Sequence, residues 1–422
     1  MTFDRYPSSD TGNSGADYAL IGTLQIHEFY YTINIGEMIM LASQRELFDM
    51  PRDICFMNAA AWSPIPKSAV AAGKIGAERK SRPWEVTDEF ADQQVERART
   101  AAAKMINAQP DDIAVVSSVG YGVSTAAKVF DTPAGHRVLV LDRDHSSPTL
   151  EWRTRSADVD FEVDVVEVGA DHDWTSAVLE AIARPGAKPI ALASISSIHW
   201  SDGGSIDLDK VQAALRAVGA GLLVDATHAA GVMPIDVAQL DPDFALFPTY
   251  KWLLGPYGRA FVYVAKRHQD KIPLEQTSYG RKRVTSADAA YYTDLDYVPS
   301  ARRFDMGERD FFVSIDVAAH SMELIDNWGI DNIRERLQML TSTIAEKLSD
   351  FKPIEILRED LRAPHILSLG YPSGMPAGYA ERLAAEKVYA APRLGRLRVS
   401  PHVYNDEMDC IRFADVIRNS LD

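Results

Sequence analysis

Residues 221–266 read GLLVDATHAAGVMPIDVAQLDPDFALFPTYKWLLGPYGRAFVYVAK. Three short apolar runs are embedded in this stretch. Leu222-Leu223-Val224 ends at Asp225, with His228 shortly after it. Phe244 to Phe247 ends in Pro248-Thr249-Tyr250-Lys251. Arg259 to Val264 follows a Gly255-Pro256-Tyr257-Gly258 turn. Runs of this length between turn residues are what parallel strands buried on both faces look like. Asp225 and Lys251 stand just past the C-terminal ends of two of the runs, where open α/β sheets place ligand chemistry.

The pattern continues on both sides. Upstream, Ile113–Val116 predicts a strand, Ser117 to Gly122 a small-residue turn, and Val123 onward a helix. A helix N-terminus opened by small residues is an anion site, because its first N–H groups have no helical partner and its dipole favours negative charge. Residues 88–106 carry helical periodicity. Val138–Leu141, 162–168 and 189–195 predict further strands, and Asp207 predicts the N-cap of a helix over 208–218. Downstream, residues 271–303 have no clear period, which in a compact enzyme marks a functional or interface loop. Helices starting at Asp316 and near Asp331 (to about Leu348), strands at Ile354–Leu357 and Ile366–Gly370, and helices over 376–387 and 406–421 predict a smaller α+β unit.

At 422 residues the chain is long enough for two domains. Its hydrophobic fraction of 46% and charged fraction of 25% are those of a globular protein. A formal net charge of −16 argues against nucleic-acid or anionic-membrane partners. The two cysteines, Cys55 and Cys410, are too few for a disulfide framework and lack metal-ligand spacing, so no metal is expected and a reducing, cytoplasmic setting is. No apolar stretch reaches membrane-spanning length and no signal peptide is evident.

The stretch 221–266 resembles the class V aminotransferases, fold-type I enzymes dependent on pyridoxal phosphate that include cysteine desulfurases, selenocysteine lyases, kynureninases and isopenicillin N epimerase-like proteins. The resemblance rests on Asp225, on His228 three residues later, on Lys251 placed 26 residues after Asp225, and on the Gly255–Gly258 turn. It implies an α/β fold: a large domain with a mostly parallel seven-stranded sheet between helices, over 38–300, and a small C-terminal α+β domain over 301–422, with Ala301–Glu308 linking them. Residues 1–37 do not look like the start of this family. They are expected to be either an arm that packs on a partner subunit or sequence preceding a start at Met38 or Met40.

The resemblance also assigns roles. Lys251 is the Schiff-base lysine and, once released, the proton carrier. Asp225 faces the ring nitrogen and keeps the ring an electron sink. His145, seven residues before Trp152, stacks on the ring and could relay protons. Ser118, Gly120 and Tyr121 hold the phosphate, chiefly through backbone N–H groups, with His228 or Tyr250 contributing. Arg398, followed by Ser400, Tyr404 and Asn405, forks to the substrate carboxylate as lysine cannot. Asn58 and His199 are candidates for the substrate pocket, with Ser197, Trp62 and Trp84 near it. Tyr279, Gly280 and Arg281 are candidates for a contact in a homodimer with shared sites. Val388-Tyr389-Ala390-Ala391 stands where a desulfurase carries its persulfide-forming cysteine, so that chemistry is rejected. Transamination of an amino acid leads. A C–S lyase or epimerase of the same fold is the alternative, and a non-catalytic cofactor-binding protein the alternative of another class.

Overall fold

The computed structural model describes residues 32–35, 38–282 and 295–421. Most of the expected 1–37 arm, and 283–294 of the irregular segment, lie outside the described residues. The chain opens with a hairpin, β1 (Thr32–Ile35) and β2 (Met38–Leu41), then β3 (Cys55–Phe56), α1 (Lys67–Lys80) and α2 (Asp88–Lys104). Strand–helix units follow: β4 (Ile113–Val116) with α3 (Val119–Val129), β5 (Arg137–Leu141) with α4 (Ser146–Arg155), β6 (Glu162–Val166) with α5 (Trp174–Ala183), and β7 (Ile190–Ser196) with α6 (Leu208–Ala217). Then come β8 (Gly221–Asp225), the short α7 (Val237–Leu240), β9 (Phe244–Pro248) and β10 (Ala260–Val264).

These seven strands form one sheet in the order β4-β10-β9-β8-β7-β5-β6, in which only β10 is antiparallel to its neighbours. The expected mostly parallel seven-stranded architecture is therefore what the chain builds. Residues alternate between two cores even in strands buried throughout: Ile113 and Val115 join one apolar cluster, Ala114 and Val116 the other. Helices on both faces make that burial possible.

Helix α3 sits unusually close to the sheet. A Cβ on Gly122 would overlap Leu246 Cδ2 and lie 2.7 Å from Val262 Cγ2. Gly122→Val is therefore expected to push α3 off β9 and β10 and to cost about 1–3 kcal/mol, as overpacked cores do. A melting temperature equal to that of the native chain would refute this.

The remainder comprises α8 (Phe312–Trp328), α9 (Ile330–Lys347), β11 (Glu355–Ile356), β12 (Leu367–Gly370), α10 (Tyr379–Ala385), β13 (Val388–Tyr389), β14 (Ala391–Arg393), β15 (Arg396–Val399) and α11 (Glu407–Leu421). The second sheet runs β11-β12-β15-β14, while β13 pairs in parallel with β3. Asn58 bridges to Ser400, so residues 55–58 run alongside the late strands. Arg45 fastens the same region: its guanidinium meets Asp409 at 2.9 Å and the carbonyls of Pro51 and Ile54 at 2.8 and 2.7 Å.

Two details differ from the sequence reading. Helix α8 starts at Phe312, before Asp316, with no side-chain cap; Asp316 lies one turn inside and pairs with Arg79 at 3.2 Å. The segment 301–306, within the expected link, is bonded to the large sheet. The Met306 N–H donates to Val115 O at 2.9 Å, and Asp305 accepts from the Val115 N–H at 2.8 Å and from Arg99 at 2.7 and 3.0 Å. These bonds cover the free edge of β4, where exposed backbone would otherwise invite pairing with another chain.

Candidate active site

The carboxyl ends of the strands converge by register. Asp225 pairs with Ser196 on one side and Leu246 on the other, and Ala260 pairs with both Val116 and Pro248. The residues just beyond those positions line one cavity of about 190 Å³: Ser117 and Ser118 after β4, His145 after β5, Thr227 and His228 after β8, Tyr250 and Lys251 after β9, and Arg259 before β10. Gly120, Trp200, Asp225 and Tyr257 complete much of the wall.

Lys251 is the centre of this arrangement. It is 6% exposed. Burial, reinforced by the positive charge of Arg398 and opposed by Asp225, brings its amine down to about 7. Its Nζ lies 3.4 Å from His228 Nε2. The Trp252 indole N–H donates to His228 Nδ1 at 3.1 Å, which leaves the ring proton of a neutral His228 on Nε2. Burial, and then the Lys251 charge, hold His228 well below its usual value, so the ring is neutral. Nε2–H then points at Nζ, and only an unprotonated amine can accept it. A buried amine with a lone pair is what covalent capture of an aldehyde requires. Reconstitution of apoprotein with pyridoxal phosphate, followed by absorbance in rapid mixing, is therefore expected to slow about tenfold per pH unit below about 7 and to level off above it. A rate still rising at pH 9 would contradict a depressed amine.

Asp225 is 3% exposed, and its Oδ1 accepts from the Thr227 N–H at 2.9 Å. His145 caps α4 and meets the edge of Trp200 at 6.1 Å between ring centroids. Burial, followed by the charge of Lys251, lowers its pKa. Behind it Asp144 accepts from the Ser196 N–H and hydroxyl at 3.2 and 2.8 Å, and burial raises its carboxyl to about 6. Ser118 is the N-cap of α3, its Oγ accepting from the Tyr121 N–H at 3.0 Å. The N–H groups of Val119 and Gly120 precede the helical ladder. A Cβ on Gly120 would meet nothing nearer than Ser118 Oγ at 3.8 Å and Ser147 Oγ at 3.9 Å, so the space above the helix start is open and lined by hydroxyls.

Arg398 arrives from the small sheet, 1% exposed, and donates through Nη1 to the carbonyl of Trp200, a cavity residue. Its Nε is buried without a partner. Burial, aided by the charge of Arg393, brings it down to about 9. Asn58, through its bridge to Ser400, stands in the strand beside it, and Asn58 Oδ1 is likewise buried and unpartnered.

Several expected contacts are displaced. Tyr121 does not line the cavity: its N–H is taken by the Ser118 cap, and its hydroxyl donates to Glu275 at 2.7 Å. His199 does not line it either. Its ring bridges Asp202 at 3.2 Å and the Asp142 carbonyl at 3.1 Å and stacks on Trp174 at 4.5 Å, which fits a brace beneath the site better than a substrate contact. Trp84 is 79% exposed, away from the cavity wall. Trp62 stacks on Tyr257 at the cavity's rim. Within the chain, Tyr279 donates to Asp310 at 3.0 Å and the Arg281 guanidinium lies 4.0 Å over Tyr297. Thr227 and Arg259 are wall residues to which the sequence assigned no role. For Arg259 the available signal was a charge at the mouth of an otherwise apolar strand.

The donors suit pyridoxal phosphate. A buried amine brought down to about 7, a carboxylate 26 residues before it, a helix start with free N–H groups and two arginines with unpartnered buried nitrogens share one neighbourhood. Comparison with known proteins points the same way. Residues 59–420 match the family model described as aminotransferase class-V. An uncharacterized aminotransferase, YcbU, of Bacillus subtilis (strain 168) is 28% identical over 344 residues, 77% of this chain and 83% of that one. A kynureninase of Salinispora tropica is 25% identical over 389 residues, 88% of this chain and 87% of its own. Among solved structures, the apo cysteine desulfurase of Thermococcus onnurineus NA1 superposes with a TM-score of 0.77 at 19% identity, over 89% of this chain and 96% of that one. With the match running from Ala59 into α11, the chain belongs to the class V aminotransferases, and it is a pyridoxal-phosphate-dependent enzyme.

Proposed function

We propose that this enzyme transaminates an α-amino acid, with Lys251 as covalent anchor and proton carrier and Arg398 as receptor for the substrate carboxylate. The observation that supports this most is the buried Lys251 amine, 3.4 Å from His228 and brought down to about 7 by burial and the charge of Arg398 against the pull of Asp225. When bound, pyridoxal phosphate supplies the electron sink for the bond that breaks at the substrate α-carbon. The remaining tasks fall to side chains. Asp225 holds the proton on the ring nitrogen. His145 and Trp200, which line the cavity, would flank the cofactor ring. Ser118 and the N–H groups of Val119 and Gly120 hold the phosphate. Arg398 forks to the carboxylate, its orientation set by the Trp200 carbonyl. Lys251 would carry the α-proton.

Persulfide chemistry is disfavoured on the same grounds. Both thiols are buried away from the cavity, Cys55 against the Asp409 carbonyl at 3.4 Å and Cys410 against that of Leu340 at 3.5 Å, and burial raises both. A cytoplasmic homodimer is part of the proposal. The two free cysteines fit a reducing compartment, and no helix among the described residues is long and apolar enough to cross a membrane. The test is a panel of amino acids with product analysis. A keto acid with pyridoxamine phosphate supports the reading. Pyruvate with ammonia would replace it by a β-lyase, and inverted configuration with solvent-deuterium exchange by an epimerase. Light scattering at the mass of one chain would remove the dimer.

A further inference from the structure

We propose that the Arg259 guanidinium binds the phosphate of the cofactor, completing the cradle begun at the start of α3. The proposal rests on the reading of this cavity as the cofactor site. Three observations carry it. The first is position. Because Ala260 pairs with Val116 and with Pro248, Arg259 emerges between Ser117 and Thr249, and its carbonyl is already engaged by the Thr249 N–H at 3.0 Å. It lines the same cavity as Ser117, Ser118 and Gly120.

The second is unmet bonding. Arg259 is 3% exposed, its Nε donates to Ser314 Oγ at 2.8 Å and its Nη2 to the Phe311 carbonyl at 3.4 Å, and its Nη1 is buried with no partner. A buried guanidinium whose bonds all go to neutral groups is costly unless an anion completes it. Asp310 is the acid that acts on it, and burial outweighs that acid, bringing the guanidinium down to about 10.

The third is orientation. Ser314 and Phe311, at the beginning of α8, hold the plane of the fork, so little freedom is lost when an anion arrives. A phosphate beside the open N–H groups of Val119 and Gly120 satisfies the helix start and Nη1 together. A distal acidic group on the substrate is the competing anion. It shares the chemistry but has no need of the helix start.

Pyridoxal, which has the ring and aldehyde but no phosphate, separates the two. Apoprotein is titrated with pyridoxal phosphate and with pyridoxal, and the Kd of each is read from the absorbance of the bound form. Arg259→Gln is expected to weaken pyridoxal phosphate about tenfold or more while leaving pyridoxal within about twofold. Equal weakening of both would make Arg259 a brace for α8 and overturn the proposal. Unchanged affinity for pyridoxal phosphate would also overturn it and assign the guanidinium to the substrate. Should the glutamine variant not fold, Arg259→Lys keeps the charge but loses the fork. It is expected to reduce the preference for pyridoxal phosphate over pyridoxal about threefold, and an unaltered preference would overturn the proposal. A native chain that binds neither compound would fail the reading of the cavity itself, whereas a native preference retained in the variants fails only the role of Arg259.

Discussion

Lys251→Ala is expected to abolish covalent capture of pyridoxal phosphate and to lower turnover by at least about 10³-fold. The variant should still fold and still bind the cofactor, because Asp225, the start of α3 and Arg398 are untouched. The diagnostic is reduction with borohydride followed by peptide mapping: label on Lys251 in the native chain, none in the variant. A small amine such as methylamine added to the variant should restore part of the proton transfer, since the cavity then has room for it. Label recovered on any other lysine of the native chain would sink the assignment.

Asp305→Ala is expected to be the most destabilising single change, at about 3–5 kcal/mol, because it strands a buried arginine. Arg99 and Asp305 have no exposed side-chain surface and meet through two bonds, at 2.7 and 3.0 Å, and Arg309 pairs with the same carboxylate. By contrast the exposed Lys104–Asp326 pair at 2.6 Å should contribute at most about 1 kcal/mol. Burial alone would raise the Asp305 carboxyl, but the Arg99 charge and hydrogen bonds overrule it and hold it low. A depressed carboxylate stabilises the fold fully above its unfolded value, about 3.9. That contribution disappears as the pH falls from there through the folded value. Urea titrations at pH 7 should show the full loss in the variant, and the gap from the native chain should narrow under acid. A gap that widened under acid would refute the linkage.

Six of the seven large-sheet strands were legible as near-continuous apolar runs because they are buried on both faces, the edge strand β6 being partly exposed, and the ends of the central ones were marked by Asp225, Lys251 and the Gly-Pro turn. The cofactor end of the site was legible for the same reason. What escaped was set by contacts far apart in sequence. The start of α8 carries no capping side chain, so Asp316 looked like its beginning. The hairpin of β14 and β15 turns at Leu394-Gly395, both with positive φ, where a leucine gives no turn signal. Tyr121 and His199 sit at the expected places in the chain, but their polar atoms are spent on Glu275 and on Asp202. Arg259 offers in sequence only a charge at the mouth of an apolar strand. Only the neutrality of its partners makes it unusual, and that is a property of the folded state.

The pairing of residues 55–58 with 388–400 also sets an order of events during synthesis. Lys251 and Arg398 are 147 residues apart. At about 5–20 residues per second, the ribosome makes the amine roughly 7–30 s before the arginine that helps to suppress its charge. Until then β3 has no β13 beside it and Asn58 no Ser400. The cavity wall from Ser117 to Arg259 is thus encoded in one uninterrupted run of chain, while the placement of Asn58 beside Ser400 waits for a closure across most of the sequence. That long-range closure is the slow kind of contact to form.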